Sequence, residues 1–442
     1  MNAKTLYALI AAAAIALAAA IWINTANQPT NEESERTDSA ANRSLLPGLS
    51  DQLNDIDAIT LTGAGGKVLT TLKRSADGWR IGEKSNYLAD LAKLREFLLK
   101  LADATLIEAK TSNPKRYVDL GVDDIADKDA KGILVTLGGL KQPVKLIIGL
   151  YNGAGGGGTF VRRDGEAQSW LAKGNLLVEK DPAGWLKHDL VDIDSARIKE
   201  VVLTGLDGKI LRVNKDQSAD NSFKVADVPK GRELASDFVA NSLGSGLSNL
   251  RADDVAAAKD APAPEKVYKA HYLGFGGLVV DVTAWDAAGK NQVQLVAAND
   301  SAQLDANISA EQAKAKAAYE TAVAAAKVKV VEAKGDEAAM SKAEADVARP
   351  AALVDPAKDR AERAGAAAKV VEDLNRTFAG WTFTVPSYAF TNFSKRMDDL
   401  LKPSEQKPAP GAKPSGSKLH GQIGTMPLVQ PTPVKSQQTP AH

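Results

Sequence analysis

Gly153, Gly155 and Gly158 stand in the spacing G-x-G-x-x-G within "LIIGLYNGAGGGGTFVRRDG", residues 146–165, where five of the six residues 153–158 are glycine. That spacing can wrap backbone amides around a phosphate or a dinucleotide. It does so only when a helix begins straight after the glycines, because the helix N-terminal amides receive the pyrophosphate. "VKLIIGLY" supplies the strand before them, but "TFVRRDGEAQSWLA" after them is β-branched and aromatic and reads as a second strand. Thr159 also stands where a P-loop requires lysine. The glycines are therefore expected to close a hairpin. Arg162 and Arg163 beside them fit either an anion clamp or strand charges that block edge-to-edge association.

Other residue types capable of chemistry are scattered. His188 and His271 lack H-x-x-x-H or H-x-H spacing, and His420 and His442 fall in a proline-rich tail, so no zinc site is expected. The absence of cysteine excludes disulfides, thiolate ligands and cysteine nucleophiles. "LGSGLSNL", residues 243–250, is not G-x-S-x-G; Gly244 and Gly246 there suit close packing. Asp119, Asp123, Asp124 and Asp127 lack the alternating ligands and central glycine of a calcium loop and read as a solvated turn. Trp79, Trp170, Trp185, Trp285 and Trp381 are expected to anchor cores. No catalytic, cofactor-binding or metal residue is assigned, and the chain is read as non-enzymatic.

The elements that hold these residues begin after an unusual N-terminus. Lys4 precedes an uncharged run from Leu6 to Ile23, followed by the acidic "NEESERTD". Eighteen helical residues span about 27 Å, close to one hydrocarbon core. Trp22 suits the headgroup zone at its far end. Residues 1–24 are read as a transmembrane anchor with the body outside the cytoplasm; a cleaved signal peptide is the alternative, and it too exports the body. Residues 25–50 read as a polar linker and 403–442, with eight prolines, as a disordered tail. Lys plus Arg and Asp plus Glu each number 55, which offers nucleic acid no general attraction.

Between linker and tail the pattern repeats. "IDAITLTGAGGKVLTTL" from Ile56 and "IKEVVLTGLDGKILRVN" from Ile198 align without a gap and share seven identities: Ile56/Ile198, Leu61/Leu203, Thr62/Thr204, Gly63/Gly205, Gly66/Gly208, Lys67/Lys209 and Leu69/Leu211. Each is two alternating runs around a glycine turn, a hairpin signal. Aromatic strands follow, "GWRI" and "SFKV". Then come leucine-spaced helices: Leu88, Leu91, Leu94, Leu98 and Leu101 with Ser85 or Asn86 as cap, and Leu234, Phe238, Val239, Leu243, Leu247 and Leu250. The fold class expected is α+β: two tandem hairpin-strand-helix-hairpin repeats over 51–194 and 195–402. An Ala-, Lys- and Glu-rich helical insertion, 309–373, interrupts the second repeat as an exposed hairpin, broken at Pro350 and Pro356.

"GWRIGEKSNYLADLAKLREFLLKLADA", "NPKRYVDLGVDD", "LIIG…TFVRR", "PAGWLKHDLVDI" and "VPSYAFTNFSKRMDDLL" together resemble a bacterial domain-of-unknown-function family, number four-three-four-zero. Tyr87, Ala89, Asp90, Lys93 and Leu94 match its "Y-x-A-D-x-x-K-L" helix, and Tyr117, Leu120 and Gly121 its "Y-x-x-L-G" element. The resemblance runs over roughly 50–402, the Ala-rich insertion aside. It implies a membrane-anchored protein associated with gliding-motility-type ABC exporters, and it brings no catalytic residues. The expected function is thus an auxiliary inner-membrane component of an ABC-type transport system, with its body in the periplasm and a permease/ATPase complex as partner. The alternative is a periplasmic module binding an extended glycan or lipid.

Overall fold

The computed structural model describes residues 43–332 and 336–403. The expected anchor, most of the linker and the proline-rich tail from 404 onward lie outside these residues. Among the described residues no helix is long and apolar enough to cross a membrane.

The chain is α+β with antiparallel sheets. Alternation between core and solvent makes the strands: Ala58–Gly63 buries every second side chain, and so does Ile133–Gly138. The first sheet holds β1 (Ala58–Gly63), β2 (Lys67–Ser75), β3 (Gly78–Ile81), β4 (Tyr87–Leu88), β5 (Leu106–Ala109), β6 (Ile133–Gly138), β7 (Val144–Asn152), β8 (Gly158–Arg163) and β9 (Ser169–Lys173). Its order is β4-β3-β2-β1-β6-β7-β8-β9-β5. With it come α1 (Leu49–Gln52), α2 (Leu91–Ala102) and α3 (Tyr117–Leu120). Helix α2 buries Leu94, Phe97, Leu98 and Leu101, the three- and four-residue stripe that an amphipathic helix turns toward a core.

After β10 (Asp189–Val191) the chain enters a second sheet. It contains β11 (Ile198–Thr204), β12 (Ile210–Asn214) and β13 (Lys224–Val225); α4 (Asn241–Gly244) and β14 (Leu250–Arg251), which pairs with β10, come next. β15 (Asp254–Ala257), β16 (Tyr268–Gly274), β17 (Leu278–Ala287) and β18 (Lys290–Asn299) follow. Helices α5 (Ser301–Glu332), α6 (Glu337–Ala345), α7 (Ala351–Val354) and α8 (Pro356–Phe378) then precede β19 (Trp381–Thr384) and α9 (Ser387–Ser394). The order of this sheet is β13-β12-β11-β16-β17-β18-β19-β15.

One hydrophobic cluster runs through both sheets, from Leu45 to Leu400. The halves also touch directly. Tyr87 stands edge-on to Trp381 and Phe383, with ring centroids 5.0 and 5.7 Å away, and Lys84 Nζ lies 2.6 Å from Asp254 Oδ1.

The structure differs from the sequence reading at four places. Ser85 and Asn86 do not cap α2. Both have left-handed backbone (φ 54° and 63°), residues 87–88 pair with β3, and the cap is Asp90, whose carboxylate accepts from the amides of Ala92 and Lys93. The helix expected through Leu234–Leu250 is reduced to the single turn α4; successive turns bury Leu243, Leu247 and Leu250 while leaving Phe238 exposed. Glycine, serine and asparagine favour turns there, and each mid-helix glycine would cost about 1 kcal/mol. The helical insertion begins at Ser301 and ends at Phe378, wider than 309–373, and its roots are core: Ile308 and Phe378 are buried, and Asn375 exchanges hydrogen bonds with the backbone of Ala297. Pro350 and Pro356 open helices here, at the N-cap of α7 and the first position of α8, where a missing amide hydrogen costs nothing. Finally, the last part of the expected linker is folded, since Leu45, Leu46 and Leu49 are buried.

Candidate functional site

The glycine segment closes the β7–β8 hairpin, as its flanks require. Gly155, Gly156 and Gly157 have φ of 62°, 93° and 82°, a left-handed path that side-chain-bearing residues avoid. A Cβ at Gly157 would collide with the Tyr151 hydroxyl. Strand β8 follows at once, so no helix begins straight after the glycines, where a dinucleotide fingerprint needs one.

Arg162 is neither an edge charge nor an open clamp. β8 lies between β7 and β9, and the Arg162 side chain is buried. Its Nε donates to the Val122 carbonyl at 2.9 Å, its Nη1 to the Glu166 carbonyl at 3.1 Å and its Nη2 to Asp124 at 2.5 Å, with the guanidinium 4.5 Å over the Tyr117 ring. Every face of the fork is used inside the protein. Of the four-carboxylate group, Asp124 serves this arginine and Asp127 accepts from the Asp129 amide. Among the described residues no cluster of three or more His, Asp or Glu side chains could hold a metal ion. His188 and His271 stay apart, the first on the Ala252 carbonyl and the second paired with Asp281 across β16 and β17. Gly244 and Gly246 pack as expected: added Cβ atoms would run into the Phe223 ring and the Tyr272 hydroxyl.

What the structure brings together is the set of residues that carry the resemblance. Ala89 N donates to the Trp79 carbonyl and Asp90 N to the Trp185 carbonyl, both at 2.8 Å. Lys93 Nζ donates to the Gly184 carbonyl at 2.5 Å and sits 5.4 Å over the Trp185 ring. Trp185 is buried against Phe97 and donates its indole N–H to the Glu179 carbonyl. "Y-L-A-D-L-A-K-L" is thus the half of a joint that starts α2, and "P-A-G-W-L-K" is the other half. In "Y-V-D-L-G", Gly121 ends α3 in the left-handed conformation (φ 66°), and Tyr117 gives its hydroxyl hydrogen to the Ala167 carbonyl. These residues are spent on architecture.

A second arrangement was missed by sequence reasoning. Residues 43–49 form a strap along β5. Leu45 N donates to the Ala104 carbonyl at 2.7 Å and Leu106 N to the Arg43 carbonyl at 2.8 Å. Arg163 donates twice to the Leu45 carbonyl, from Nε at 3.0 Å and Nη2 at 2.7 Å. Arg43 stacks 5.9 Å over Trp170, and Leu45, Leu46 and Leu49 enter the core. The only signal in the sequence was "SLLPGL", an apolar triplet in an otherwise polar stretch.

No curated protein and no solved structure matches the chain. A family match covers residues 79–269, which includes the α2 joint and the Tyr117–Gly121 turn but neither the opening hairpin nor β17 onward. Over that stretch the chain resembles the family described as Domain of unknown function (DUF4340).

Proposed function

We propose that this chain is a non-enzymatic scaffold tethered to the inner membrane by residues 1–24, with its body in the periplasm, serving as an auxiliary component of an ABC-type transport system. The strap carries the reading. A tether that merely held a domain nearby would need no purchase on it. Here the segment that follows the linker is bonded to β5, clamped by Arg163 and sunk into the core by three leucines, so that a pull on the linker would act on the first sheet. The uncharged run 6–23 supports the location, and the membrane anchoring and ABC-exporter association that the resemblance implies point to the partner.

We further read the body as one unit used twice. In support, the order β3-β2-β1-β6-β7-β8-β9-β5 in the first sheet matches β13-β12-β11-β16-β17-β18-β19-β15 in the second, element for element. The aligned Gly66 and Gly208 both turn left-handed, at φ 72° and 77°, and the aligned Ile56/Ile198 and Leu61/Leu203 are all buried. Fractionation tests the tethered reading. The intact protein is expected to stay with the inner membrane through carbonate extraction, its body open to protease only from the periplasmic side. A fully soluble mature protein beginning near residue 21 would sink the anchor.

A further inference from the structure

Residues 84–87 of the first half grip the second sheet at both ends and are strained between. Lys84 Nζ lies 2.6 Å from Asp254 Oδ1 of β15. The Tyr87 ring stands edge-on to Trp381 and Phe383 of β19, while its buried hydroxyl has no hydrogen-bond partner, which native interiors seldom tolerate. Between the two grips Ser85 and Asn86 are both left-handed, at φ 54° and 63°, where a Cβ crowds the backbone. Both residues are exposed, so no packing of their side chains offsets that crowding. The turn is held by its backbone: Asn86 N donates to the Ile81 carbonyl, and Arg80 Nη1 donates to the Asn86 carbonyl, each at 2.9 Å. The second half makes the matching turn without such residues. There Leu234 bridges Leu401 and Ala235 N donates to the Leu400 carbonyl, as Ala89 bridges Leu186 and Asp90 N donates to the Trp185 carbonyl in the first half. Three positions before the bridge the second half has Gly231, left-handed at φ 77° without penalty, where the first has Asn86.

We propose that residues 84–87 form a releasable latch between the two sheets. In the released form Lys84 leaves Asp254, the turn at Ser85 and Asn86 relaxes, and Tyr87 withdraws from β19 so that water reaches its hydroxyl. The relaxed turn and the hydrated hydroxyl favour release; the ion pair and the ring contacts favour the latched form. Strain of this kind persists only where surrounding contacts enforce it, and it gathers at switch regions. The released form is therefore a minor state close in energy to the latched one. The strap and α2 stay in place throughout, because Leu45 bonds Ala104 and Arg163, and Asp90 bonds Trp185, all within the first half. The latch thus lets the second sheet shift while the linker keeps its hold on the first. This inference concerns the body alone and does not depend on the transporter reading.

Fluorine NMR of the full-length protein in detergent, labelled with 3-fluorotyrosine, tests it. The Tyr87 signal is assigned by its loss in Tyr87→Phe. Saturation transfer should reveal a second, water-exposed environment for Tyr87, populated at about 1–10%. Ser85→Gly should lower that population about threefold, because glycine accepts the left-handed turn without crowding. Asn86→Gly, which installs the residue found in the second half, should act in the same direction. Lys84→Met removes one grip and should raise the population about threefold. On the other side of the latch, 5-fluorotryptophan at Trp381 should report the same minor fraction and the same responses. Tyr272, whose hydroxyl is also buried and unpartnered but lies within β16, should show one environment. A single environment for Tyr87, or a second one that neither glycine variant lowers, would overturn the proposal. So would a Trp381 that does not follow Tyr87, or a minor fraction shared equally by Tyr272, which would mark opening of the whole body and not of the latch.

Discussion

Asp90 shows what a motif residue does when its role is structural. Its carboxylate holds two amides at the start of α2, and its own amide ties the helix to the Trp185 carbonyl. Asp90→Ala is expected to lower stability by about 1 kcal/mol, and Asp90→Asn by much less, because asparagine caps nearly as well. Denaturant midpoints of the two variants check this, and equal losses would contradict the capping account. Tyr87 and Tyr272 carry hydroxyls without partners, and burial pushes both phenols well above their ordinary 10.0. A group whose pKa is raised on folding contributes stability that is complete below its unfolded pKa and declines as pH rises beyond it. The protein should therefore lose stability above about pH 10. Tyr87→Phe with Tyr272→Phe should move alkaline unfolding to higher pH and leave stability at pH 7 unchanged or improved, since each removes an unmet polar group. A double variant that unfolds at the same alkaline pH as the parent would count against these two residues.

Elements were legible where a single period governed them. The alternating runs from Ile133 and Leu278 became strands, and the glycines between β7 and β8 became a turn, because nothing after Thr159 resembles a helix start. Replacing Gly153–Gly157, the loop between the paired Asn152 and Gly158, by a two-residue Asn-Gly turn is expected to preserve folding, because it leaves the β7–β8 register as it is. Calorimetric titration of the parent with ATP or NAD should show no saturable heat, and micromolar binding abolished by the replacement would reverse the reading. Leucine spacing misled where turns bury the same residues. Leu243, Leu247 and Leu250 satisfy a helical template, yet Gly244 and Gly246 are needed close to Phe223 and Tyr272, and that packing decides the conformation. The insertion was legible as helix but not in its roots, because helix propensity does not say that Phe378 joins the main core or that Asn375 bonds the backbone of Ala297. Gln312 Nε2 donates to the Pro356 carbonyl at 2.9 Å, so the chain can be rejoined near there. Replacing 314–354 with a short Gly/Ser link should leave the body's melting temperature within a few degrees. Removing 309–373 should cost clearly more, because it takes away Val371, which packs on the main core. Equal effects of the two deletions would show that the part of α8 carrying Val371 adds nothing to the core.

At the scale of the whole molecule, the two sheets share one hydrophobic cluster, and the strap joins the first sheet to the segment that leads toward the N-terminus. Neither was readable beforehand. Tyr87 meeting Trp381, or Arg163 holding the Leu45 carbonyl, joins residues more than a hundred positions apart whose types alone announce no partner. The sequence was more informative about class and order of elements, because those follow from local period and turn chemistry. The central claim is that this body works beside a transporter in the membrane. It is tested most directly by crosslinking the full-length protein in intact cells, purifying it from solubilised membranes and identifying the attached chains by mass spectrometry. The account predicts an ABC permease and its ATPase, recovered in crosslinker-dependent amounts. Recovery of the folded, membrane-bound protein without either subunit would contradict it.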